Sequence, residues 1–195
     1  MEIDIIRGHV KDMLEARGDD ISYIEEHGDA VDSRRYYNEI ITLDTDNTVV
    51  FFALNKAKEL KDREKTAADM MARYEQRKNY IVVLYQVPSS PILNQFQIRN
   101  KDLQALGGML HIFYAKELMY NPLKHTLVPK HERIKSQEEV AELMDYYKIR
   151  HHKNMPLISK DDVISRWLGL RTGDIVRITR HNQTSGEYYY YRCCM

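Results

Sequence analysis

Two short runs do most to limit what this chain can fold into. Thr48 to Leu54 (TVVFFAL) and Asn79 to Tyr85 (NYIVVLY) are apolar at almost every position and rich in β-branched and aromatic residues. Each reads as a buried strand, and a buried strand requires other elements layered over it. Residues 56–77 lie between them and are dense in Lys, Glu, Arg and Asp, with Ala67, Met70, Met71 and Tyr74 at helical spacing. That pattern predicts an amphipathic helix with a wet outer face. Val87-Pro-Ser-Ser-Pro91 interrupts the second strand, and Gly107-Gly108 introduces a third, Met109 to Tyr114. Ahead of all this, Ile6, Val10, Met13 and Leu14 fall on one helical face, with Arg17-Gly18 as a C-terminal stop. Strand, helix, strand, loop, strand is an α/β order.

The pattern changes after Tyr120-Asn-Pro-Leu-Lys124, which divides the chain into domains 1–120 and 121–195. Ser136-Gln-Glu-Glu139 has the form of a capping box, in which Glu139 would reach back to the start of a helix. The apolar face of that helix is Val140, Leu143, Met144 and Tyr147. Asp161 or Asp162 caps a second helix, with Val163, Ile164, Trp167 and Leu168 expected to face inward and Gly169 at its end. Thr172-Gly173 turns into a strand from Asp174 to Thr179, residues 181–187 read as a polar loop, and Tyr188 to Cys194 returns as a closing strand. This is an α+β unit of about 75 residues, close to the lower limit for independent folding.

Charge and chemistry narrow the function classes. Lys plus Arg equals Asp plus Glu at 29 each, so the formal net charge is zero. A free-standing nucleic-acid binder usually carries a basic excess, so any DNA contact here is expected to be local and assisted by partners. The charge is also uneven. Residues 121–195 hold 13 basic and 9 acidic residues, leaving 16 and 20 for the rest. The only cysteines, Cys193 and Cys194, are adjacent and read as reduced apolar residues of a strand. The charged N-terminus and the lack of a long apolar run lead to the expectation of a soluble intracellular protein without membrane contact. The histidines have no zinc-type spacing, so no metal is expected, and with no GxGxxG, P-loop or nucleophile elbow no cofactor or catalytic residue is expected either. Asp44 or Asp46 with Glu59-Leu-Lys61 superficially resembles a nuclease D…ExK set. Glu59 and Lys61 lie in the helical run, however, where i and i+2 do not face each other.

The segment His125, Leu127, Val128, Pro129 and His131 (HTLVPKH) carries a resemblance to a known family. It is similar to the H-x-L-V-P-x-H motif of the fifth-largest subunit shared by eukaryotic nuclear DNA-directed RNA polymerases, and of its archaeal RNA polymerase counterpart. The match continues through Pro156, Ile158, Asp162, Gly169, Gly173, Arg180, Thr184, Gly186, Tyr188, Tyr191 and Arg192, about 70 consecutive residues, and is specific as a composite. The glycines and prolines in it are backbone demands rather than chemistry. Two positions depart from the pattern: Val163 stands where proline is usual, and Asn182 where serine is usual. Proline at a first helical turn is dispensable, and asparagine makes a similar local bond.

The resemblance implies an α+β protein with an N-terminal α/β jaw domain of mixed sheet, restriction-endonuclease-like, and a small C-terminal α+β assembly domain. Over residues 1–120 it rests only on the order of the elements. It implies a non-catalytic subunit that docks on the largest polymerase subunit, contacts other subunits, and braces downstream duplex DNA. Catalysis would belong to the two largest subunits. The implied location is the nucleus, or a cytoplasmic viral factory or virion if a large DNA virus encodes the chain. Pro88-Ser-Ser-Pro91 corresponds to a jaw loop, which makes Ser89, Ser90 and Lys101 the DNA-proximal candidates. Two other classes remain open: a nuclease-like nucleic-acid-processing enzyme, and a free adaptor built on the same folds.

Overall fold

The computed structural model describes residues 2–22, 24, 31–55, 74, 76–184 and 186–195. They form two compact units, Met1–Tyr120 and Asn121–Met195, each an α+β arrangement on a mixed four-stranded sheet.

The first unit opens with α1 (Glu2–Arg17), whose buried stripe of Ile3, Ile6, Val10, Met13 and Leu14 recurs at helical spacing. Gly18, at φ 87°, ends it by donating to the Leu14 and Glu15 carbonyls. A single turn, α2 (Arg35–Asn38), precedes the strands β1 (Ile41–Asp44), β2 (Thr48–Phe52), β3 (Asn79–Leu84) and β4 (Met109–Tyr114). They lie in sequence order, β1 antiparallel to β2 and the other three parallel. The β1–β2 turn closes on buried Thr45 and Thr48. The Thr48 amide donates to Thr45 Oγ1, and Thr45 Oγ1 donates to the Thr48 carbonyl.

Between β3 and β4 runs α3 (Ser90–Ala105), where the sequence pattern suggests only a loop. Its inward residues are few, Ile92 and Phe96 with Leu103 partly buried, so the periodic signal is faint. The helix follows from topology: two parallel strands need a crossover between them. α3 covers the sheet face formed by Val49, Phe51, Tyr80, Val82 and Leu110. The opposite face presents Phe52 edge-on to Tyr36 at 5.1 Å, and the Arg7 guanidinium lies 5.4 Å from that tyrosine ring. Most of the charged segment expected as a helix, residues 56–73 and 75, lies outside the described residues. Tyr74 is described and packs edge-on against Phe51 at 6.0 Å.

The second unit contains β5 (Lys130–Arg133), α4 (Gln137–Tyr146), β6 (Leu157–Ile158), α5 (Val163–Leu168), β7 (Ile175–Asn182) and β8 (Gly186–Cys194). The sheet order is β5-β7-β8-β6, with β6 parallel to β8 and the other pairs antiparallel. Both faces are covered, which is how so small a unit finds enough apolar surface to bury. Val176, Ile178 and Cys194 pack with Ile158, Leu168 and Leu170 on one side. Ile175 and Cys193 pack with Ile134, Met155, Val140 and Leu143 on the other. The single tryptophan, Trp167, is 1% exposed.

The structure corrects several local expectations. β8 is flanked by β7 along its length and by β6 at Cys193 and Cys194, so at its end it lies inside the sheet. Residues 181–187 are not a loop: the ladder continues to the Asn182–Gly186 pair. There Asn182 Oδ1 accepts the Thr184 amide, and Gly186 takes φ 70°, so a short turn suffices. Only half of the capping box forms. Ser136 accepts the Glu139 amide at 3.2 Å, while the Glu139 carboxylate turns to Arg177 at 3.1 Å. Val163 is 49% exposed, because α5 is too short to bury a full helical stripe.

Candidate assembly interface

The family-like residues of the second unit divide into two kinds. Some shape the backbone. His125 Nδ1 accepts the Leu127 amide, and the Val128 amide donates to the His125 carbonyl, so the segment ahead of β5 is a tight turn. It leaves Leu127 85% exposed. The Pro156 carbonyl accepts the Cys193 amide, and Ile158, paired with Cys194, is buried. Asp162 caps α5 by accepting the Ile164 amide at 2.8 Å, and Gly169 ends that helix at φ 64°. Gly173, at φ 96°, sits in the turn before β7, where Asp174 accepts the Arg171 amide and pairs with Arg133 at 3.1 Å.

The others gather on one face. Side chains alternate along a strand, and β7 pairs Val176, Ile178 and Arg180 with Arg192, Tyr190 and Tyr188 of β8. β5 sets His131 beside Ile178. His131, Arg180, Tyr188 and Arg192, far apart in sequence, therefore share a face, centred on Tyr190. The Arg180 and Arg192 guanidinium carbons lie 4.7 Å and 5.7 Å from the Tyr190 ring centroid, in cation–π range. Neither arginine has a carboxylate at ion-pair distance among the described residues. His131 is half-buried and donates from Nδ1 to the Pro129 carbonyl at 2.6 Å. Burial pushes its pKa below the ordinary histidine value, the Pro129 bond and Asp162 oppose this, and Arg192 and Arg180 add to it. The ring is therefore neutral at neutral pH.

Tyr191 points to the opposite face, 5.9 Å from the Tyr147 ring, and Thr184 lies in the hairpin turn. That opposite face holds a network with no counterpart in the sequence reading. Arg177 meets Glu139 at 3.1 Å and Glu132 at 3.4 Å, and lies 5.6 Å from the Tyr189 ring. Lys130 hydrogen-bonds Glu132 at 2.7 Å and is the main reason that carboxylate titrates below its ordinary range. Lys130 and Glu132 are two apart on β5, but only strand register brings Arg177 and Tyr189 to them, so nothing local could have signalled the network. An open groove of about 960 Å³ lies beside the hairpin, with Leu127, Pro129, Lys130, Arg180, His181 and Tyr188 among its walls. Cys193 and Cys194 are fully buried free thiols, and burial raises both pKa values.

Residues 120–194 match the family model described as RNA polymerase Rpb5, C-terminal domain. The match runs through the second unit as far as Cys194, so that unit is similar to the family over nearly its whole length. Curated relatives matching the chain include DNA-directed RNA polymerases I, II, and III subunit RPABC1 from Caenorhabditis elegans and from Caenorhabditis briggsae. Each is 42% identical over 84 residues, covering 43% of this chain and 39% of the relative, so the chain matches about two-fifths of their length. The segment similar to that family is thus the one in which the face around Tyr190 is built.

In the first unit, the structure does not bring Ser89, Ser90 and Lys101 together. Ser89 is the N-cap residue of α3 and Ser90 its first residue. Lys101 lies 11 positions further along the same helix, roughly 16 Å away at 1.5 Å per residue. Of the nuclease-like set, Glu59 and Lys61 lie outside the described residues. Asp44 is held by Arg77 through two bonds, 2.8 Å and 3.0 Å. Asp46 accepts the Asp20 amide and the Asn47 side chain. Among the described residues no cluster of acidic, histidine or cysteine side chains could hold a metal ion. None of their helices is long and apolar enough to cross a membrane.

Proposed function

We propose that the chain is a non-catalytic subunit of a multisubunit DNA-dependent RNA polymerase. The observation that carries this reading is the segment 120–194, which matches the Rpb5 C-terminal domain and in which four motif residues, His131, Arg180, Tyr188 and Arg192, share one partly exposed cationic–aromatic face around Tyr190. Uncompensated guanidinium groups over an aromatic ring suit recognition of a protein partner. The partner in this reading is the largest polymerase subunit, with other subunits nearby and nucleotidyl transfer left to the two largest. The chain works in the nucleus, or in a viral factory or virion if a virus encodes it.

The first unit serves as the jaw beside downstream DNA. A neutral chain has little electrostatic affinity for duplex by itself, because that affinity comes mainly from neutralised phosphates. The contact is therefore made within the assembled enzyme. The start of α3 offers Ser89 and Ser90 hydroxyls for sequence-independent phosphate bonds, and Lys101 reaches a separate phosphate.

Purification of the tagged full chain from its native source tests the reading. Large polymerase subunits should co-purify in stoichiometric amount. Recovery of the chain without them, or with magnesium-dependent cleavage of DNA, overturns it.

A further inference from the structure

The hairpin of β7 and β8 is longer than its neighbours. β6 pairs only with Cys193 and Cys194, so the outer edge of β8 from Gly186 to Arg192 has no strand beside it among the described residues. The direction of its backbone groups is set. The Cys193 amide donates outward to Pro156, whereas the Cys194 amide donates inward to Asp174. By strand alternation, the amides and carbonyls of Glu187, Tyr189 and Tyr191 face the open side. Among the described residues this edge has little of the usual protection, its charged residues being Glu187 and Arg192. It carries no proline or lysine and no bulge in its pairing, and it is aromatic, with Tyr189 52% exposed. Natural edge strands with such a surface are normally covered.

We propose that the open edge of β8 accepts an extended segment of the partner polymerase subunit as an added strand, continuing the line that β6 begins. This rests on the polymerase-subunit reading above. The two faces of the hairpin specify the segment. On one face, Arg180 and Arg192 flank Tyr190 without any carboxylate of this chain at ion-pair distance among the described residues. On the other, Arg177 is already neutralised by Glu132 and Glu139, and Tyr189 and Tyr191 supply apolar surface. A strand laid alongside alternates its side chains between these faces. The segment therefore carries acidic residues at alternate positions, over Arg180 and Arg192, and apolar residues between them. Main-chain bonds supply affinity and the alternation supplies register, as in other recognition by strand addition.

Hydrogen–deuterium exchange on the full chain, free and within the polymerase purified through it, tests the proposal. The amides of Glu187, Tyr189 and Tyr191 should exchange quickly in the free chain and slow by about a hundred-fold or more in the enzyme. Those of Tyr188, Tyr190 and Arg192, bonded to β7, should be protected in both. A paired variant isolates the backbone. Tyr189→Pro removes an outward amide that the fold does not use, and Tyr189→Ala keeps it. The alanine variant should enter the polymerase and the proline variant should not. Trp167 fluorescence checks that both are folded, and if the proline variant unfolds the exchange comparison decides. Arg180→Gln should weaken capture about ten-fold, and equal capture overturns the acidic character of the segment. A chain that joins the polymerase with unchanged exchange at the three amides overturns strand addition alone. A chain that joins no polymerase overturns the parent reading and this one together.

Discussion

Removing residues 191–195 should unfold the second unit while leaving the first intact. The segment ends β8, which lies inside the sheet, so both of its neighbours lose a partner. Besides its ladder bonds to β7, five backbone bonds disappear with it, to Pro156, Ile158, Lys160, Gly173 and Asp174, each between 2.8 and 2.9 Å. At a net 0.5–1.5 kcal/mol each, they amount to about 2.5–7.5 kcal/mol. Cys193 and Cys194 are fully buried on opposite faces, so their loss also opens both apolar clusters. A unit of about 75 residues has a total stability on the order of 4–11 kcal/mol. The loss is comparable to the whole. Trp167 is the only tryptophan and lies in this unit, so its fluorescence reports on it selectively. The truncated full chain should show red-shifted emission and no cooperative transition in urea. Native emission with an unchanged urea midpoint would refute the argument that the last strand holds the sheet together.

Three further outcomes follow from particular residues. The folded state favours neutral His131, whose pKa is depressed below 6.5 by burial, so the unfolded chain binds its proton more readily. The associated stability is fully present above that value and is lost as pH falls through it. The Trp167-monitored urea midpoint should therefore drop between about pH 8 and about pH 5, and His131→Gln should flatten the drop. Cys193 and Cys194 should resist alkylation in the native chain and react in denaturant, because burial both shields the thiols and disfavours thiolate; rapid native labelling would contradict their placement. Gly108→Ala should destabilise the first unit by about 1–3 kcal/mol, since the added Cβ would press into the Lys78 carbonyl oxygen. Near-ultraviolet circular dichroism of the tyrosines should register that loss while the Trp167 transition stays in place.

The elements legible in the sequence are those whose signal is local. The runs at 48–54, 79–85 and 109–114 become β2, β3 and β4 because stretches of β-branched and aromatic residues suit a buried strand and little else. α1 is legible because four apolar residues repeat at the helical period, and the caps at Ser136 and Asp162 because a side chain there serves amides two or three residues away. Helix α3 is not, since it turns only a narrow apolar face to the sheet and exists because β3 and β4 run parallel. Glu139 likewise turns from its own helix to Arg177, a residue 38 positions away. The face around Tyr190 has the same origin. His131, Arg180, Tyr188 and Arg192 are neighbours only because β5, β7 and β8 pair in one register, and a shift of one residue would send each side chain to the opposite face. Composition and period determine which segments become strands and helices. Which charges meet, and which strand edge stays open, is decided by long-range pairing, because hydrogen-bonded register acts between residues that the chain itself holds far apart.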